Sequence, residues 1–214
     1  MSTRTAPPSG APARRRPAGN RRAHARRRGP LIFAGIILAA VAVFASPLFR
    51  HAAKEISLPL RHEDVIRQQA KAKGLDPALI AGIIYAETHF RPRPSAAGAQ
   101  GLMQLLPSTA HFIAARSGGT AFETRDLATP QVNIAYGSWY LRYLIKRYGG
   151  NEALAVAAYN GGEANVDKWL LRAARSGNQL QAEDIPFPET RAYVEKVLKA
   201  REDYRRTYGR ELGL

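Results

Sequence analysis

One glutamate near the middle of the chain has the surroundings of a catalytic acid. Glu87 closes the apolar run "ALIAGIIYAE", and the next acidic residue after it is Glu123. Glu87 lies four residues beyond Ile83, so at helical spacing it continues the apolar stripe of that run. We therefore expect its carboxyl group to face the core, where burial would raise its pKa toward neutral pH.

A carboxyl group that is still partly protonated near neutral pH can donate a proton to a glycosidic oxygen. The same position also fits a simpler interpretation, in which Glu87 ends its helix and turns to solvent. Periodicity alone leaves both interpretations open.

The residues after Glu87 form a segment rich in Gly, Pro, Ala and Ser that ends in "GLMQ". Gly98 and Gly101 permit tight turns and a close approach of the backbone to a ligand. The side chain of Gln104 offers two donors and an acceptor, which suits the acetamido and hydroxyl groups of amino sugars. Alternatively, Met103 is a core residue and Gln104 caps a local turn.

Later aromatic and polar residues also have two interpretations each. Tyr159 and Asn160 stand before a Gly pair, where they could line a cleft or simply end a helix, since Asn is tolerated there. We expect Trp139 and Trp169 in the core or in a cleft wall rather than as platforms for a sugar.

The chain contains no cysteine, which excludes disulfides, thiolate chemistry and Cys-based zinc sites. His89 and His111 have no metal-ligand partners at suitable spacing, and no nucleotide-binding loop or cofactor motif is present. We therefore expect neither a metal nor a cofactor.

Start and stop signals divide the second part of the chain into helices. Asp76 followed by Pro77 is an N-cap with proline at the first helical position, and it opens the helix that ends near Glu87. No run alternates with a period of two residues, so we predict an all-α domain. The other helices are expected to begin near Asp64, Pro107, Pro130, Asn151, Glu163 and Pro188.

The N-terminal residues predict a membrane anchor. Residues 1–29 contain nine Arg and no Asp or Glu, a composition typical of disorder. Residues 31–49 carry no charge over 19 positions, and as a helix they would span about 28 Å. The arginines before this run favour a cytoplasmic N-terminus. We predict a disordered basic cytoplasmic tail at 1–29, a single transmembrane helix at 30–49, a linker at 50–61 and an outer domain at 62–209.

Two other interpretations of the N-terminus stay open. The apolar run could be a cleavable signal peptide, since small residues precede Ser46. The Arg-rich tail could bind nucleic acid or anionic lipid. Without residues 1–29 the net charge falls from +15 to +6 (23 basic minus 17 acidic residues), and the apolar run would separate the tail from the outer domain. We therefore expect no nucleic-acid partner.

Four motifs, in order, resemble one known family. The stretches "ETHFRPRPSAAGAQGLMQLLP", "DLATPQVNIAYGSWYL", "LAVAAYNGGEANV" and "ETRAYVEKVL" are similar to the soluble lytic transglycosylase (SLT) domain, the lysozyme-like family 23 of the glycoside hydrolases. The resemblance covers roughly residues 61–208. It implies a lysozyme-like helical fold and an enzyme that acts on the glycan strands of peptidoglycan.

The resemblance also assigns roles to residues. Glu87 corresponds to the catalytic glutamate, and Tyr193 is implied to help position it. Thr88 replaces the usual serine, and the interval from Glu87 to Gly98, which contains Pro94, is one residue shorter than is typical of the family. The implied substrate-binding residues are Thr88, Gly101, Leu102, Met103, Gln104, Ala158, Tyr159, Asn160 and Tyr193.

The implied reaction uses one carboxyl group twice. Glu87 protonates the oxygen that links N-acetylmuramic acid to N-acetylglucosamine, and then, ionised, removes the proton of the muramic 6-hydroxyl as a 1,6-anhydro ring closes. If Asp126, Glu152 or Glu163 folded back into the cleft, a lysozyme-type hydrolase would be favoured instead. A non-catalytic peptidoglycan-binding module is the other alternative. The expected location is the cell membrane, with the catalytic domain on its outer side; no protein partner is indicated.

Overall fold

The computed structural model describes residues 33, 36–38, 41, 46, 57–93 and 95–214. The chain divides into two compact units, Met1–His51 and Ala52–Leu214. The described residues of the second unit form seven α-helices and no strand, which confirms the all-α prediction. The helices are α1 (Glu63–Lys73), α2 (Pro77–Thr88), α3 (Pro107–Ser117), α4 (Pro130–Arg147), α5 (Glu152–Gly161), α6 (Glu163–Arg175) and α7 (Pro188–Leu212), with short 3-10 helices at Thr124–Ala128 and Ala182–Asp184.

The start of α2 is set by its capping residues, as the sequence predicts. The side chain of Asp76 accepts a hydrogen bond from the backbone N–H of Ala78 at 2.9 Å, and Pro77 occupies the first turn. At the other end, His89 takes the left-handed conformation with φ 51° and stops the helix. Glu87 therefore lies in the last turn of α2.

The apolar stripe of α2 is buried as expected, and so are the positions beside it in the first two turns. All residues from Pro77 to Ile84 are buried, because α7 packs along the helix and α1 contacts it as well. The two helices approach closely at Gly82, where an added Cβ would lie 2.9 Å from the carbonyl oxygen of Val197 in α7. This packing fixes the end of α2, and with it Glu87, against side chains of α7.

The end of the expected linker packs against the helical unit. The hydroxyl of Tyr208 donates to the carbonyl oxygen of Leu58 at 2.7 Å, and that of Tyr204 donates to the carbonyl of Pro59. Residues 57–61 thus join the folded unit. At the other end, α7 continues past residue 209 to Leu212, whose side chain is buried.

The predictions for the N-terminus fall largely outside the described residues. The tail at 1–29 lies wholly outside them, as does most of the predicted transmembrane helix at 30–49. The five described residues at 33, 36–38 and 41 are helical, and their apolar side chains are exposed. Among the described residues, no helix is long and apolar enough to cross a membrane.

Candidate active site

The carboxyl group of Glu87 meets a phenol from the last helix. The hydroxyl of Tyr193 donates a hydrogen bond to Oε1 of Glu87 at 2.6 Å. Tyr193 lies in α7 and is only 9% exposed, so its ring is held by the core while its hydroxyl reaches the carboxylate. The packing of α7 along α2 therefore brings together two groups that are far apart in the sequence.

The surroundings of Glu87 raise the pKa of its carboxyl group, the direction that the sequence predicts. Burial is the main cause, because it disfavours the charged form. The hydrogen bond from Tyr193 and the charge of Lys196 act in the opposite direction, but more weakly. The result is a carboxyl group that holds its proton to higher pH than a free glutamate and still has partners that stabilise its anion.

Sequence reasoning missed Lys196. Its ammonium group donates a hydrogen bond to the carbonyl oxygen of Ala86 at 2.8 Å, so it lies beside the last turn of α2. Lys196 follows Tyr193 by three residues and therefore shares its face of α7. That spacing is the signal in the sequence that could have found it.

The "GLMQ" loop is held by a buried asparagine that the sequence analysis also missed. The side chain of Asn133 accepts from the backbone N–H of Met103 at 2.8 Å and donates to the carbonyl oxygens of Gln100 at 2.9 Å and Leu127 at 3.1 Å. A Cβ on Gly101 would lie 2.0 Å from Nδ2 of Asn133. The absence of a Cβ at Gly101 therefore makes room for the side chain of Asn133.

Several residues expected to bind substrate have buried side chains instead. Leu102, Met103 and Ala158 lie in the main core, where no more than 2% of each residue is exposed. The hydroxyl of Thr88 is also buried and donates to the carbonyl oxygen of Leu102 at 2.8 Å. In this structure these residues shape and fix the loop, and Thr88 also lines the cavity that contains Glu87.

Gln104 combines the two roles that the sequence left open. Its Nε2 donates to the carbonyl oxygens of Gly101 at 2.8 Å and Arg93 at 3.1 Å, which fixes the loop locally. Its side chain also lines the same cavity as Glu87. Both of these hydrogen bonds are donated by Nε2, so the side-chain oxygen of Gln104 is left to accept a hydrogen bond from a ligand.

Tyr159 reaches the loop from α5. Its hydroxyl donates to the carbonyl oxygen of Met103 at 2.9 Å. Burial raises its pKa well above the usual value, and the charge of Glu87 adds to this shift. Asn160, the next residue, is exposed, and its Oδ1 accepts from the hydroxyl of Thr190 at 2.9 Å. Asn160 therefore lies at the end of α5 and is tied to α7, with no bond to Glu87.

Two cavities lie side by side at this site. One, of about 170 Å³, is lined by Glu87, Gln104 and Arg93, among others. The next, of about 400 Å³, is lined by Gly98, Gly101 and again Arg93. Because Arg93 lines both, the two cavities are neighbours, and together they are called the groove.

The largest of the described cavities, about 570 Å³, lies elsewhere. It is lined by Trp169 and by nine residues between 172 and 186, and it includes none of the residues predicted for the site. Trp169 is 5% exposed, which agrees with the expected place in the core or a wall. The size of this cavity is weaker evidence of a reactive site than the perturbed carboxyl group in the smaller one.

The three acids that could have folded toward Glu87 are held by other partners. Asp126 accepts from the backbone N–H of Glu123 at 2.8 Å, and Glu152 forms an ion pair with Arg201. Glu163 accepts from two tyrosine hydroxyls and pairs with an arginine of α4 at 3.1 Å. Among the described residues, no other carboxylate contributes to the pKa shift of Glu87.

The described residues also contain no group of three or more His, Asp or Glu side chains arranged to hold a metal ion. His89 and His111 are both exposed. His111 contacts the hydroxyl of Thr124 at 3.2 Å, and the ion pairs among the described residues include neither histidine. The reactive group that the site presents is therefore the single carboxyl of Glu87.

Comparison with known proteins places this arrangement in a family. The family model described as Transglycosylase SLT domain matches residues 64–181, more than half of the chain. The chain belongs to the transglycosylase SLT domain family. The match begins within α1, includes Glu87 and the "GLMQ" loop, and ends before α7. The family identified from the four sequence motifs is thereby confirmed.

Relatives and solved structures agree with this assignment to the SLT family. A soluble lytic murein transglycosylase of Salmonella typhimurium is 34% identical over 180 residues, which is 83% of this chain and 28% of that protein. A membrane-bound lytic murein transglycosylase C of Glaesserella parasuis is 34% identical over 167 residues, covering 68% of this chain and 46% of the relative.

Among solved structures, the 70 kDa soluble lytic transglycosylase of Escherichia coli superimposes with a TM-score of 0.67 at 31% identity, over 80% of this chain and 28% of that one. The lytic transglycosylase Slt of Pseudomonas aeruginosa, solved as an inactive mutant, superimposes with a TM-score of 0.66 at 34% identity. The match covers 73% of this chain and 26% of that one. The SLT domain here has the lysozyme-like fold of these enzymes. The chain spans less than half the length of these relatives.

Proposed function

We propose that this SLT protein is a peptidoglycan lytic transglycosylase. It would cleave the β-1,4 bond between N-acetylmuramic acid and N-acetylglucosamine and leave a 1,6-anhydromuramic acid end. The observation that carries the proposal is the single carboxyl group of Glu87, with its raised pKa and the hydrogen bond from Tyr193. Family membership and the similarity to lytic transglycosylases support it.

In the first step, Glu87 acts as a general acid. Its raised pKa keeps a fraction of the carboxyl groups protonated near neutral pH, and that proton goes to the glycosidic oxygen as the bond to the muramic C1 breaks. The carbonyl of the substrate's own N-acetyl group stabilises the positive charge that develops at C1, as in substrate-assisted glycosidases. No carboxylate of the described residues stands near Glu87 to do this instead.

In the second step, the same residue acts as a base. The ionised Glu87 accepts the proton of the muramic 6-hydroxyl while that oxygen bonds to C1, which closes the anhydro ring without consuming water. Tyr193 donates to the carboxylate, and the charge of Lys196 favours it as well, so both groups stabilise Glu87 in the state in which it acts as a base. One carboxyl group therefore completes the cycle and regains its proton.

The neighbours of Glu87 have assigned places in this proposal. The side-chain oxygen of Gln104 accepts from an amide or hydroxyl of the bound sugar, while Tyr159 and Thr88 hold the backbone of the loop through their hydroxyls. Asn160, exposed at the end of α5, contacts the glycan strand farther from the reacting bond.

We also propose that the enzyme is anchored in the membrane by a single helix at 30–49, with residues 1–29 in the cytoplasm and the SLT domain on the side of the peptidoglycan. The uncharged sequence of 31–49 supports this. So do the exposed apolar side chains at 33, 36–38 and 41, which lipid would cover. Cell fractionation with an antibody to the SLT domain, before and after carbonate and detergent washes, tests the anchor.

The product of the reaction tests the catalytic proposal. The full-length chain, purified in detergent, is incubated with purified peptidoglycan beside the Glu87→Gln variant, and soluble fragments are analysed by mass spectrometry. Fragments ending in 1,6-anhydromuramic acid, absent with the variant, are the expected result. Reducing-end muramic acid would make the enzyme a lysozyme-type hydrolase. Folded protein that binds peptidoglycan but releases no fragments would make it a binding module.

A further inference from the structure

The turn after Glu87 has an unusual backbone. His89 and Phe90 follow one another in the left-handed region, with φ of 51° and 59°. Two consecutive residues other than glycine in this region carry a cost that surrounding packing must offset. Phe90 supplies that packing, because its ring is only 3% exposed and lies 6.0 Å from the ring of Tyr204. The packing of Phe90 in the core thus holds the turn in place, and Arg91 is the first residue after it.

This turn brings two arginines to the rim of the Glu87 cavity. Arg91 and Arg93 both line the cavity, and both are exposed. The backbone of Arg91 donates to the carbonyl of Thr88 at 2.9 Å, while the carbonyl of Arg93 accepts from Gln104. The backbone at both positions is therefore held in place, and only the long side chains are free to adapt.

The two guanidinium groups are not neutralised within the described structure. The ion pairs among described residues involve other arginines, and neither Arg91 nor Arg93 has an acidic partner there. The groups that shift the pKa of Glu87 also include neither arginine. The charges of Arg91 and Arg93 therefore neither form ion pairs with described residues nor shift the pKa of Glu87.

Nearby groups make the rim more positive still. Burial is the main cause that lowers the pKa of His89, and the charges of Lys196, Arg93 and Arg91 lower it further, which requires them to lie close to the ring. Arg93 also lines the second cavity of the groove, so it faces a ligand that runs from one cavity to the next. Guanidinium groups hold carboxylates through paired hydrogen bonds, which gives such a rim a preferred ligand.

We propose that Arg91 and Arg93 form a carboxylate-binding rim that selects glycan strands bearing free carboxylates beside the bond to be cleaved. This inference rests on the proposed function. The carboxylate has two sources on such strands. It is the lactyl group of muramic acid where the peptide is absent, or a carboxylate of the peptide where it is present.

The test compares the wild type with the double variant Arg91→Gln/Arg93→Gln. The matched control is Arg175→Gln, an exposed arginine of α6 that lines neither cavity of the groove. Three substrates are used: peptidoglycan with its peptides, strands freed of peptides by an amidase, and the same strands with carboxylates converted to neutral methylamides. Melting temperatures are measured first, and we expect no change for either variant because all three side chains are exposed.

We expect the double variant to raise KM about tenfold on carboxylate-bearing strands, with kcat little changed, and to match the wild type on methylamide strands. The wild-type KM should rise with salt more steeply than that of the variant. A loss confined to strands with peptides assigns the rim to peptide carboxylates, and a loss confined to peptide-free strands assigns it to the lactyl group. Losses on both kinds of strand show that the rim accepts either carboxylate. Equal losses on charged and capped strands, or an equal loss for Arg175→Gln, would overturn the proposal.

A binding measurement separates this inference from the proposed reaction. Sedimentation with insoluble peptidoglycan is repeated in the Glu87→Gln background, with and without the two arginine substitutions. If the arginine substitutions weaken binding to untreated peptidoglycan more than binding to methylamide peptidoglycan, the rim is supported even if no anhydro product is ever found. If the wild type releases anhydro products from every substrate, and the Glu87→Gln protein binds equally well with and without the arginine substitutions, the proposed function is supported and the rim is contradicted.

Discussion

The hydroxyl of Tyr193 donates to Oε1 of Glu87 at 2.6 Å, and this bond opposes the effect of burial on the same carboxyl group. A residue that acts first as acid and then as base needs both influences. Burial raises the pKa of Glu87 and so keeps part of its carboxyl groups protonated near neutral pH, whereas the phenol stabilises the carboxylate after the proton has left. The balance between the two sets the pH range in which the site can work.

Replacing Tyr193 with phenylalanine should shift the pH dependence of the enzyme. Without the hydrogen bond the anion of Glu87 is less stable, so its pKa rises further and the alkaline limb of the kcat/KM profile moves to higher pH. The maximal rate should fall about tenfold to a hundredfold, since a hydrogen bond to a charged group is lost. The release of anhydro-ended fragments, followed across the pH range, measures both changes.

Tyr148→Phe is the matched control, because its hydroxyl lies 3.2 Å from Asp167 and makes no contact with Glu87. Its profile should coincide with that of the wild type. A Tyr193→Phe profile that fell in height without moving along the pH axis would show that the phenol only positions the carboxyl group.

The raised pKa of Glu87 also predicts a cost in stability. A carboxyl group whose pKa is higher in the folded state than in the unfolded state favours folding at low pH, and this contribution is lost as pH rises through the folded pKa. Glu87→Gln keeps an oxygen to accept from Tyr193 and removes the buried charge. The variant should therefore melt at a higher temperature than the wild type at neutral pH.

The same reasoning fixes the pH dependence of that difference. As pH falls below the usual range of a glutamate pKa, the wild-type residue is protonated in both states, so the gain from glutamine should shrink toward zero. Melting curves of both proteins from acid to neutral pH measure this. A gain that is independent of pH would have to come from packing and not from the charge.

Gly101 and Gly98 form a matched pair for testing the loop. Both have positive φ, 75° and 78°, but a Cβ at Gly101 would meet Asn133 and the carbonyl of Leu127 within 2.5 Å, whereas a Cβ at Gly98 meets nothing within 4 Å. Gly98→Ala should cost about 1 kcal/mol of unfolding free energy from backbone strain alone. Gly101→Ala should cost about 3 kcal/mol or more, because Asn133 must also move. Urea unfolding compares them, and equal costs would contradict the packing described here.

Some of this site could be predicted from the sequence because its signals are local. The cap at Asp76 and Pro77 fixes where α2 begins, and the position of Glu87 in its last turn follows from there. The direction of the pKa shift also follows from the apolar run before Glu87. The stripe describes α2 incompletely, however, because every position of its first two turns is buried.

Other parts of the site depend on contacts between residues far apart in the sequence, which a local sequence pattern does not predict. Asn133 looks like an ordinary polar residue of α4, yet it bonds three backbone groups around the "GLMQ" loop. The motif residues Leu102 and Met103 invite assignment to the cleft, but they are core side chains whose backbone is held by Thr88 and Asn133. Motif membership marks the loop, and only the packing tells which of its atoms face a ligand.

Thr88 tests whether the loop must be tied to α2 for the site to work. Its buried hydroxyl donates to the carbonyl of Leu102 at 2.8 Å. Thr88→Val keeps the volume of the side chain but leaves that carbonyl without its donor, which should cost about 1–3 kcal/mol of unfolding free energy. Thr88→Ser keeps the hydroxyl and loses a buried methyl, at a cost of about 1 kcal/mol.

The two variants should therefore separate in activity more clearly than in stability. Thr88→Ser should retain a kcat close to that of the wild type, because the loop stays bonded to the residue next to Glu87. Thr88→Val should lower kcat by about tenfold or more, since a small displacement of Gln104 relative to the carboxyl group misplaces the substrate. Denaturation curves and rates of anhydro-fragment release on the same preparations measure both effects. Equal kcat values for the two variants would mean that the hydroxyl stabilises the fold without positioning the site.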